Sequence, residues 1–376
     1  MPKPTLCIIH EAIGDKSGIA KAAMWQVNCA LDAGWEVSVV AKYLDESLQD
    51  RVRWLKLTVP RKFFLLKWLT ARHYIRRALG GLSFDIIHAH QPQVADLSDV
   101  FNCHFLTRVA HENHCLESRP GARSRFIRLQ QQAAMLAEDR CYRNWRPATH
   151  MLFCSDMLKT EFGRLYGLPP VHEALIPTVP PYREITDDQR RAARVALVGD
   201  KPGLVVGYLG GLHERKGYKR LIPALRADEN LRLLIVGAYS QGFTVAGLGD
   251  RCRGLGFMED LSALYSACDV FVVPSLFEPL GLVAFEAAAH GVPVIATAEV
   301  GALPHILEFG AGAKWNPAEP LGPLARALVE KRHEIRAGAR RMAENYSDES
   351  QSRRLMNVYE QVLRHRNRGT LTAKAI

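Results

Sequence analysis

Among 376 residues no two cysteines stand as a Cys-x-x-Cys pair. The eight present, Cys7, Cys29, Cys103, Cys115, Cys141, Cys154, Cys252 and Cys268, are scattered along the chain. That spacing suggests neither a zinc site nor a disulfide framework and makes a reducing cytoplasm the simplest location. No uncharged apolar stretch reaches the ~18 residues that a membrane-spanning helix needs. Pro2, Lys3 and Pro4 lead into a short strand-like run that ends at His10 and Glu11, so no cleaved leader is expected. Glycine is sparse where a dinucleotide fingerprint would require it: Gly14 and Gly18 alone punctuate the first loop.

What is present is an apolar fraction of 48%, in a chain long enough for two domains with a core each. Positive charge is in excess, 49 basic against 39 acidic residues, or +10, which favours anionic partners without naming them. The excess is uneven. Residues 51–77 hold nine Lys or Arg and no acid, interleaved with Trp54, Phe63, Phe64, Leu65, Leu66, Trp68 and Leu69. Such a composition suits a segment lying on an anionic membrane surface. It equally suits an amphipathic helix whose aromatics enter the core. Nucleic acid is a weaker reading, because no recognition motif accompanies the charge.

The most informative stretch runs from Phe271 to Thr297. Val270 to Val273 reads as a buried parallel strand that stops at Pro274. From about Pro279, where a first helical turn tolerates proline, the apolar spacing of Leu280, Val283, Ala284, Ala287 and Ala288 predicts a helix. Gly291 and Pro293 end it before a strand over Val292 to Ala296. Two carboxylates fall eight residues apart, Glu278 in the loop and Glu286 inside the helix. Among Phe285, Ala287 and Ala288 the latter needs hydrogen-bond donors. Between them the amides of Gly281, Leu282 and Val283 form a helix N-terminus suited to a phosphate. The plainer reading is a strand, loop and helix whose glutamates merely reach water.

This unit resembles the Glu-x7-Glu signature of retaining GT-B glycosyltransferases, most closely glycosyltransferase family 4. The usual Glu-Gly-Phe-Gly becomes Glu278-Pro279-Leu280-Gly281. The resemblance implies that Glu278 binds hydroxyls of a donor sugar, Glu286 the nucleotide ribose, and the intervening amides the diphosphate.

The other elements fit in order. Thr5 to Ile9, a helix from Ile19 to Ala33, and Val37 to Ala41 form a strand-helix-strand unit. Ser17-Gly18 resembles the family's Gly-Gly loop between donor and acceptor. Phe84 to His90 and Asp99 to His104 are strands ending in polar residues. His104 matches the family histidine that hydrogen-bonds the donor sugar, although a lone histidine is more often structural. His88 and His90 are read as projecting to opposite faces, hence a poor metal pair. Gln130 to Cys141 reads as helix and Met151 to Ser155 as strand. Leu175 to Pro181, with three prolines in seven residues, is the natural linker; its Pro177-Thr178-Val179 departs from the family's Pro-Asn-Gly.

Beyond it, a strand from Gly203 to Leu209 precedes Gly210-Gly211-Leu212-His213-Glu214-Arg215-Lys216-Gly217. That loop resembles the family's Gly-Arg-Leu-x-x-x-Lys-Gly, with Gly211 where arginine is usual. Lys216 would neutralise a leaving diphosphate, and Arg215 is the candidate for the missing cation. Gly256 to Met258 falls where the family holds the base through backbone groups. Gly301-Ala302-Leu303-Pro304 resembles Gly-Gly-x-Pro-Glu, with His305 replacing glutamate. A helix from Tyr346 to Leu363 would brace the first domain, and a basic tail from Arg364 to Ile376 is expected to be mobile.

The expectation is therefore an α/β protein of GT-B type, two Rossmann-like doubly wound parallel-sheet domains facing a central cleft. Residues 1–178 would bind acceptor, 179–345 the donor, and 346–376 return to the first domain. The expected activity is retaining transfer from a nucleotide diphosphate sugar, UDP favoured, to a glycan or lipid-linked acceptor in polysaccharide or lipopolysaccharide synthesis. Residues 51–77 would dock on the inner face of a membrane. The chain contains no Asp-x-Asp, so no metal or other cofactor is expected. A nucleotide-sugar epimerase or hydrolase, or a non-catalytic membrane-docked binding protein, stays open at this point.

Overall fold

In the computed structural model of the chain the described residues are 2–15, 17–58, 64–113, 122–145, 149–176, 179–199 and 201–373. They form two compact units. One gathers Met1–Val109, Glu117–Thr178 and Asp348–Ile376; the other gathers Ala110–Leu116 and Val179–Ser347.

The first unit is built on β1 (Thr5–Ile9), β3 (Glu36–Ala41), β5 (Arg53–Lys56), β6 (Ile86–Ala89), β7 (Val100–Cys103), β8 (His150–Phe153) and β9 (His172–Ala174). The short β2 (Ala12–Ile13) and β4 (Tyr43–Leu44) pair beside it. The seven strands run parallel in the order β5-β3-β1-β6-β7-β8-β9. Strand residues such as Leu6, Ile8, Val37 and Val39 are buried because helices cover the faces of a parallel sheet. One of those helices comes from the chain's end. The helix Asp348–Ala373 places Leu355, Val358, Tyr359 and Val362 in the same core. Trp25 Nε1 on the helix Gly18–Asp32 donates to Asp348 Oδ1 at 2.8 Å.

Where the sequence reading starts that last helix at Tyr346, the structure starts it at Asp348. Tyr346 instead follows the helix Arg332–Asn345 and bonds to His305 in the second unit. The expected mobile tail is helical as far as Ala373.

The segment 51–77 also differs from the reading of a continuous exposed cationic face. Trp54 lies in β5, packs against the core and donates its indole N–H to the Ala41 carbonyl at 2.9 Å. A helix spans Phe64–Leu79, with Ala71 and Ile75 buried. Arg72 is paired with Asp96 and with the Gln93 carbonyl, so it is withdrawn from that face. Arg76, Arg77 and Leu69 remain exposed. Arg61, Lys62 and Phe63 lie outside the described residues, as do the side chains of Lys67 and Trp68.

The second unit repeats the plan. Its strands are β10 (Leu204–Leu209), β11 (Leu231–Val236), β12 (Cys252–Gly256), β13 (Val270–Val273), β14 (Val294–Ala296) and β15 (Gly312–Lys314), all parallel in the order β12-β11-β10-β13-β14-β15. Both units are thus doubly wound α/β folds, as the alternating elements predict. Strand order reverses beside β1 in the first and beside β10 in the second, which is where such sheets bind ligands.

At the amino end of β13 the buried Asp269 carboxylate ties the sheet to its helices. It accepts from the Val205 amide at 2.8 Å, from Arg194 Nη1 at 2.6 Å and from Arg332 Nη2 at 3.0 Å. Removing one partner of a buried charge group leaves the others uncompensated, a cost of about 3–5 kcal/mol. Asp269→Ala is accordingly expected to lose that much unfolding free energy in urea. A loss under about 1 kcal/mol would show the cluster to be solvated.

Candidate functional site

In the second unit, β10 and β13 are neighbours, and their following loops diverge at the reversal of strand order. One loop carries Arg215 and Lys216, the other Glu278. What brings them together is a glycine. Gly217 sits at φ 74°, and a Cβ there would lie 1.9 Å from the Pro274 carbonyl oxygen, so only glycine permits this approach. The Leu276 amide donates to the Arg215 carbonyl at 2.8 Å across the same gap. Lys216 Nζ then pairs with the Glu278 carboxylate. Arg215 Nη1 lies 3.3 Å from the same oxygen and donates to the Phe277 carbonyl at 2.8 Å.

Glu278, whose side chain is 12% exposed, therefore faces two cations. Its backbone is fixed as well: its amide donates to the Glu299 carbonyl, and its carbonyl accepts from the Gly301 amide, each at 2.9 Å.

The expected helix begins at Leu282 rather than near Pro279, and runs to Ala289. Pro279 and Leu280 stay in the loop, and Gly281 at φ 88° forms the N-cap without any side-chain cap. The amides of Leu282 and Val283 have no acceptor within the helix, whereas that of Ala284 donates to the Gly281 carbonyl at 2.9 Å; the first two leave the N-terminus suited to an anion. It opens beside Glu278, whose Cγ lies 3.2 Å from where a Cβ on Gly281 would stand.

Glu286 has a donor that the sequence did not reveal. Tyr265, buried on the helix Ser262–Ala267, gives its hydroxyl to Glu286 Oε2 at 3.0 Å and stacks on His290 at 4.7 Å. Burial, and then the Glu286 charge, push the Tyr265 phenol well above its usual range. Tyr265 in the short helix ahead of the apolar strand was the available signal, because a buried phenol needs a partner.

The Gly211 departure has a steric reason. At φ 62°, a Cβ would lie 2.2 Å from the Ala238 carbonyl oxygen and 2.7 Å from its nitrogen. An arginine therefore does not fit this backbone. Gly256 is likewise engaged internally: its amide donates to Ser240 Oγ at 3.0 Å, and its carbonyl accepts from the Gly237 amide at 2.7 Å. Beside it, Phe257 is 82% exposed, and Tyr239, beyond the adjacent β11, is 81% exposed with the left-handed φ of 63°. Backbone strain at an exposed aromatic marks a functional candidate that pattern reading passed over. His305, where the family has glutamate, accepts or donates at 2.8 Å to the Tyr346 hydroxyl.

In the first unit Gly18 opens the helix Gly18–Asp32, with Ser17 capping the Ala20 amide at 3.2 Å. His104 is not a lone histidine. Its ring stacks on His90 at 5.0 Å, His90 stacks on His88 at 4.9 Å, and His10 meets His90 edge-on at 5.6 Å. The expectation of opposite faces for His88 and His90 is wrong, because residues two apart on a strand share a face. His90 Nδ1 lies 2.8 Å from His104 Nε2, so one ring holds the proton for the other. His88 is held by the Tyr359 hydroxyl and the Asn102 side chain, each at 2.7 Å. Burial lowers His88 to about 4 and His104 to about 3, and sends His90 well below its ordinary value. The column is therefore neutral near pH 7. Among the described residues no group of His, Cys, Asp or Glu is arranged to hold a metal ion.

Comparison with known proteins gives the family and the fold. A family model described as "Glycosyl transferase 4-like domain" matches residues 17–178, and one described as "Glycosyl transferases group 1" matches residues 203–330. A D-inositol 3-phosphate glycosyltransferase from Salinispora tropica is 29% identical over 332 residues, 76% of this chain. The chain spans 66% of that relative's length. Among solved structures, WaaG, a glycosyltransferase involved in lipopolysaccharide biosynthesis, superposes with a TM-score of 0.71 at 17% identity, covering 95% of this chain and 98% of the other. Anabaena Alr3699/HepE in complex with UDP-glucose does so with a TM-score of 0.71 at 16% identity, covering 95% and 99%.

The histidine column has a measurable signature. Its folded pKa values are depressed below the unfolded ~6.5, so the unfolded chain binds more protons in acid. The stability it contributes is fully present above about pH 6.5 and is lost as pH falls toward the folded value near 4. The urea midpoint is expected to drop between about pH 7 and 4.5, and to drop less in His90→Gln. Identical slopes in both chains would clear the histidines of this effect.

Proposed function

The chain belongs to the GT-B glycosyltransferases with 4-like and group 1 domains, and we propose that it moves a hexosyl group from a UDP-sugar to a glycan or lipid-linked acceptor with retention at the anomeric carbon. One observation carries the proposal: Lys216, Arg215 and the uncapped helix N-terminus at Gly281 converge on Glu278 where strand order reverses. Two cations and a set of free amides suit a diphosphate; a carboxylate among them suits sugar hydroxyls.

Without donor, Lys216 and Arg215 neutralise Glu278. When the diphosphate arrives it competes for both cations, and Glu278 is left to accept hydrogen bonds from the hexose. Glu286 accepts from the ribose on the oxygen that Tyr265 does not use. Leu282 and Val283 lend amides to the diphosphate, and the exposed rings of Tyr239 and Phe257 flank the base near Gly256. In the first unit, the neutral imidazole of His104 can donate to a sugar hydroxyl, and Gly18 leaves backbone open to a ligand.

The bond between the anomeric carbon and the diphosphate oxygen breaks as the acceptor hydroxyl attacks from the same face. Its proton passes to the departing phosphate oxygen, so no protein carboxylate has to act as nucleophile. Negative charge grows on the diphosphate in this step, and Lys216 and Arg215 stabilise it without reorganisation. The residues named supply this stabilisation without a metal ion.

The UDP-glucose of the HepE complex and the lipopolysaccharide role of WaaG support the choice of donor and of a lipid-linked acceptor. The exposed Arg76, Arg77 and Leu69 support docking of the helix Phe64–Leu79 on an anionic membrane. No described helix is long and apolar enough to cross one.

Mass spectrometry of products, from UDP-sugars offered with and without candidate acceptors, tests the reaction; free sugar alone would indicate a hydrolase. Lys216→Ala is expected to lower turnover ~100-fold or more, the scale of one lost electrostatic donor. Arg215→Ala should cost a comparable factor, since no arginine fits at 211; full activity would assign that role to another cation.

Co-sedimentation tests docking. Binding to anionic but not neutral vesicles, lost at high salt and on Arg76→Glu with Arg77→Glu, is expected. Equal recovery in the supernatant with both vesicle types would point to a soluble acceptor.

A further inference from the structure

A second basic feature lies at the opposite ends of the strands whose following loops carry Lys216 and Glu278. The helix Asp187–Val198 and the chain leading into β10 line a cavity of about 470 Å³. These elements sit at the amino ends of β10 and β13, whereas the donor residues follow the carboxyl ends of the same strands.

Asp187, Arg190, Arg191 and Arg194 recur at helical spacings of three and four, so they form one stripe along the cavity wall, and Lys201 adds a fourth cation. Arg194 is already paired with Asp269 and Lys201 with Asp250, so Arg190 and Arg191 against Asp187 leave the lining with a net positive charge.

Arg190 is the informative member. It is 9% exposed, and its Nη1 donates to the Cys268 carbonyl at 2.9 Å. Its Nε and Nη2 are buried with no hydrogen-bond partner among the described residues. Arg332 Nε beside it is in the same condition. The neighbouring acid, Asp269, is already shared by Arg194 and Arg332. Burial, together with Arg332 and Arg336, holds Arg190 down to about 10. A buried guanidinium with two unsatisfied donors is costly, and guanidinium geometry matches the oxygens of a phosphate.

We propose that this cavity binds the phosphate group of a small phosphorylated ligand, at a site separate from the sugar donor. The exposed Arg191 grips the phosphate oxygens, with the buried Arg190 behind it supplying further positive charge. The incompletely compensated charge of Arg190 lies behind this wall and favours an anion in front of it, and the cavity has the volume of a small-molecule site. The phosphate can belong to a soluble metabolite or to a lipid headgroup; the recognising chemistry is shared.

Inorganic phosphate titrated into the full chain by calorimetry is the direct test. Since Arg190→Gln risks unfolding, the exposed Arg191 supplies the variant. One site is expected in the wild type and in Lys216→Ala, weakened at least tenfold in Arg191→Glu.

Glycerol 3-phosphate and vesicles containing phosphatidate then separate the two sources, and whichever binds must lose binding in Arg191→Glu. No phosphate binding by the wild type, or equal binding in Arg191→Glu, overturns the proposal. So does binding abolished by Lys216→Ala but kept by Arg191→Glu, which would place the ion at the donor site.

Discussion

The second unit of this protein depends on the close approach of two loops, and that approach depends on the missing side chain of Gly217. With a Cβ excluded by the Pro274 carbonyl, the loop after β10 settles against the loop after β13 and exchanges a backbone hydrogen bond at Leu276. Everything charged follows from this contact. Lys216 and Arg215 would otherwise be solvated loop cations, whose pairing with a carboxylate is worth little in water. Held against a largely buried Glu278, they form a preorganised cluster. The same loop leaves no room for a side chain at Gly211, because Ala238 already fills that space. The nearest arginine on this loop stands four residues later, at Arg215.

Much of this was legible in the sequence, since strands and helices announce themselves through apolar spacing. The parallel strands around the switch points, and the placement of Glu278 and Lys216 in their loops, are local in sequence and read correctly. What escaped was whatever depends on partners far along the chain. Tyr265 meets Glu286 only because a helix and a later helix pack across one strand. Arg72 finds Asp96 across a 24-residue gap, which turned an expected surface cation into a paired one. The histidines failed for a simpler reason: His88 and His90 lie on one pleat, and His104 joins them from the neighbouring strand. A composition count sees each as an isolated residue.

The two ends of the second sheet treat positive charge differently. At the carboxyl ends, cations are matched by Glu278 and the charge is poised to shift. At the amino ends, Arg194 and Arg332 share the single Asp269, Arg190 beside them reaches only the Cys268 carbonyl, and buried donors are left over. Stability alone gives no reason to keep that surplus, since a buried ionised group without partners costs more than an apolar one of the same size.

The route by which the chain closes its first core has a bearing on synthesis. The helix Asp348–Ala373 fills that core with Leu355, Val358, Tyr359 and Val362, and Tyr359 also holds the innermost histidine. A ribosome that has finished the last strand of the first unit must still add about 200 residues before this helix emerges. At ~5–20 residues per second that leaves an apolar groove uncovered for roughly 10–40 s. The second unit, whose main stretch is continuous, can fold within that interval. The amino-terminal half of the nascent chain is thus the later one to mature, and it is the half most in need of a chaperone.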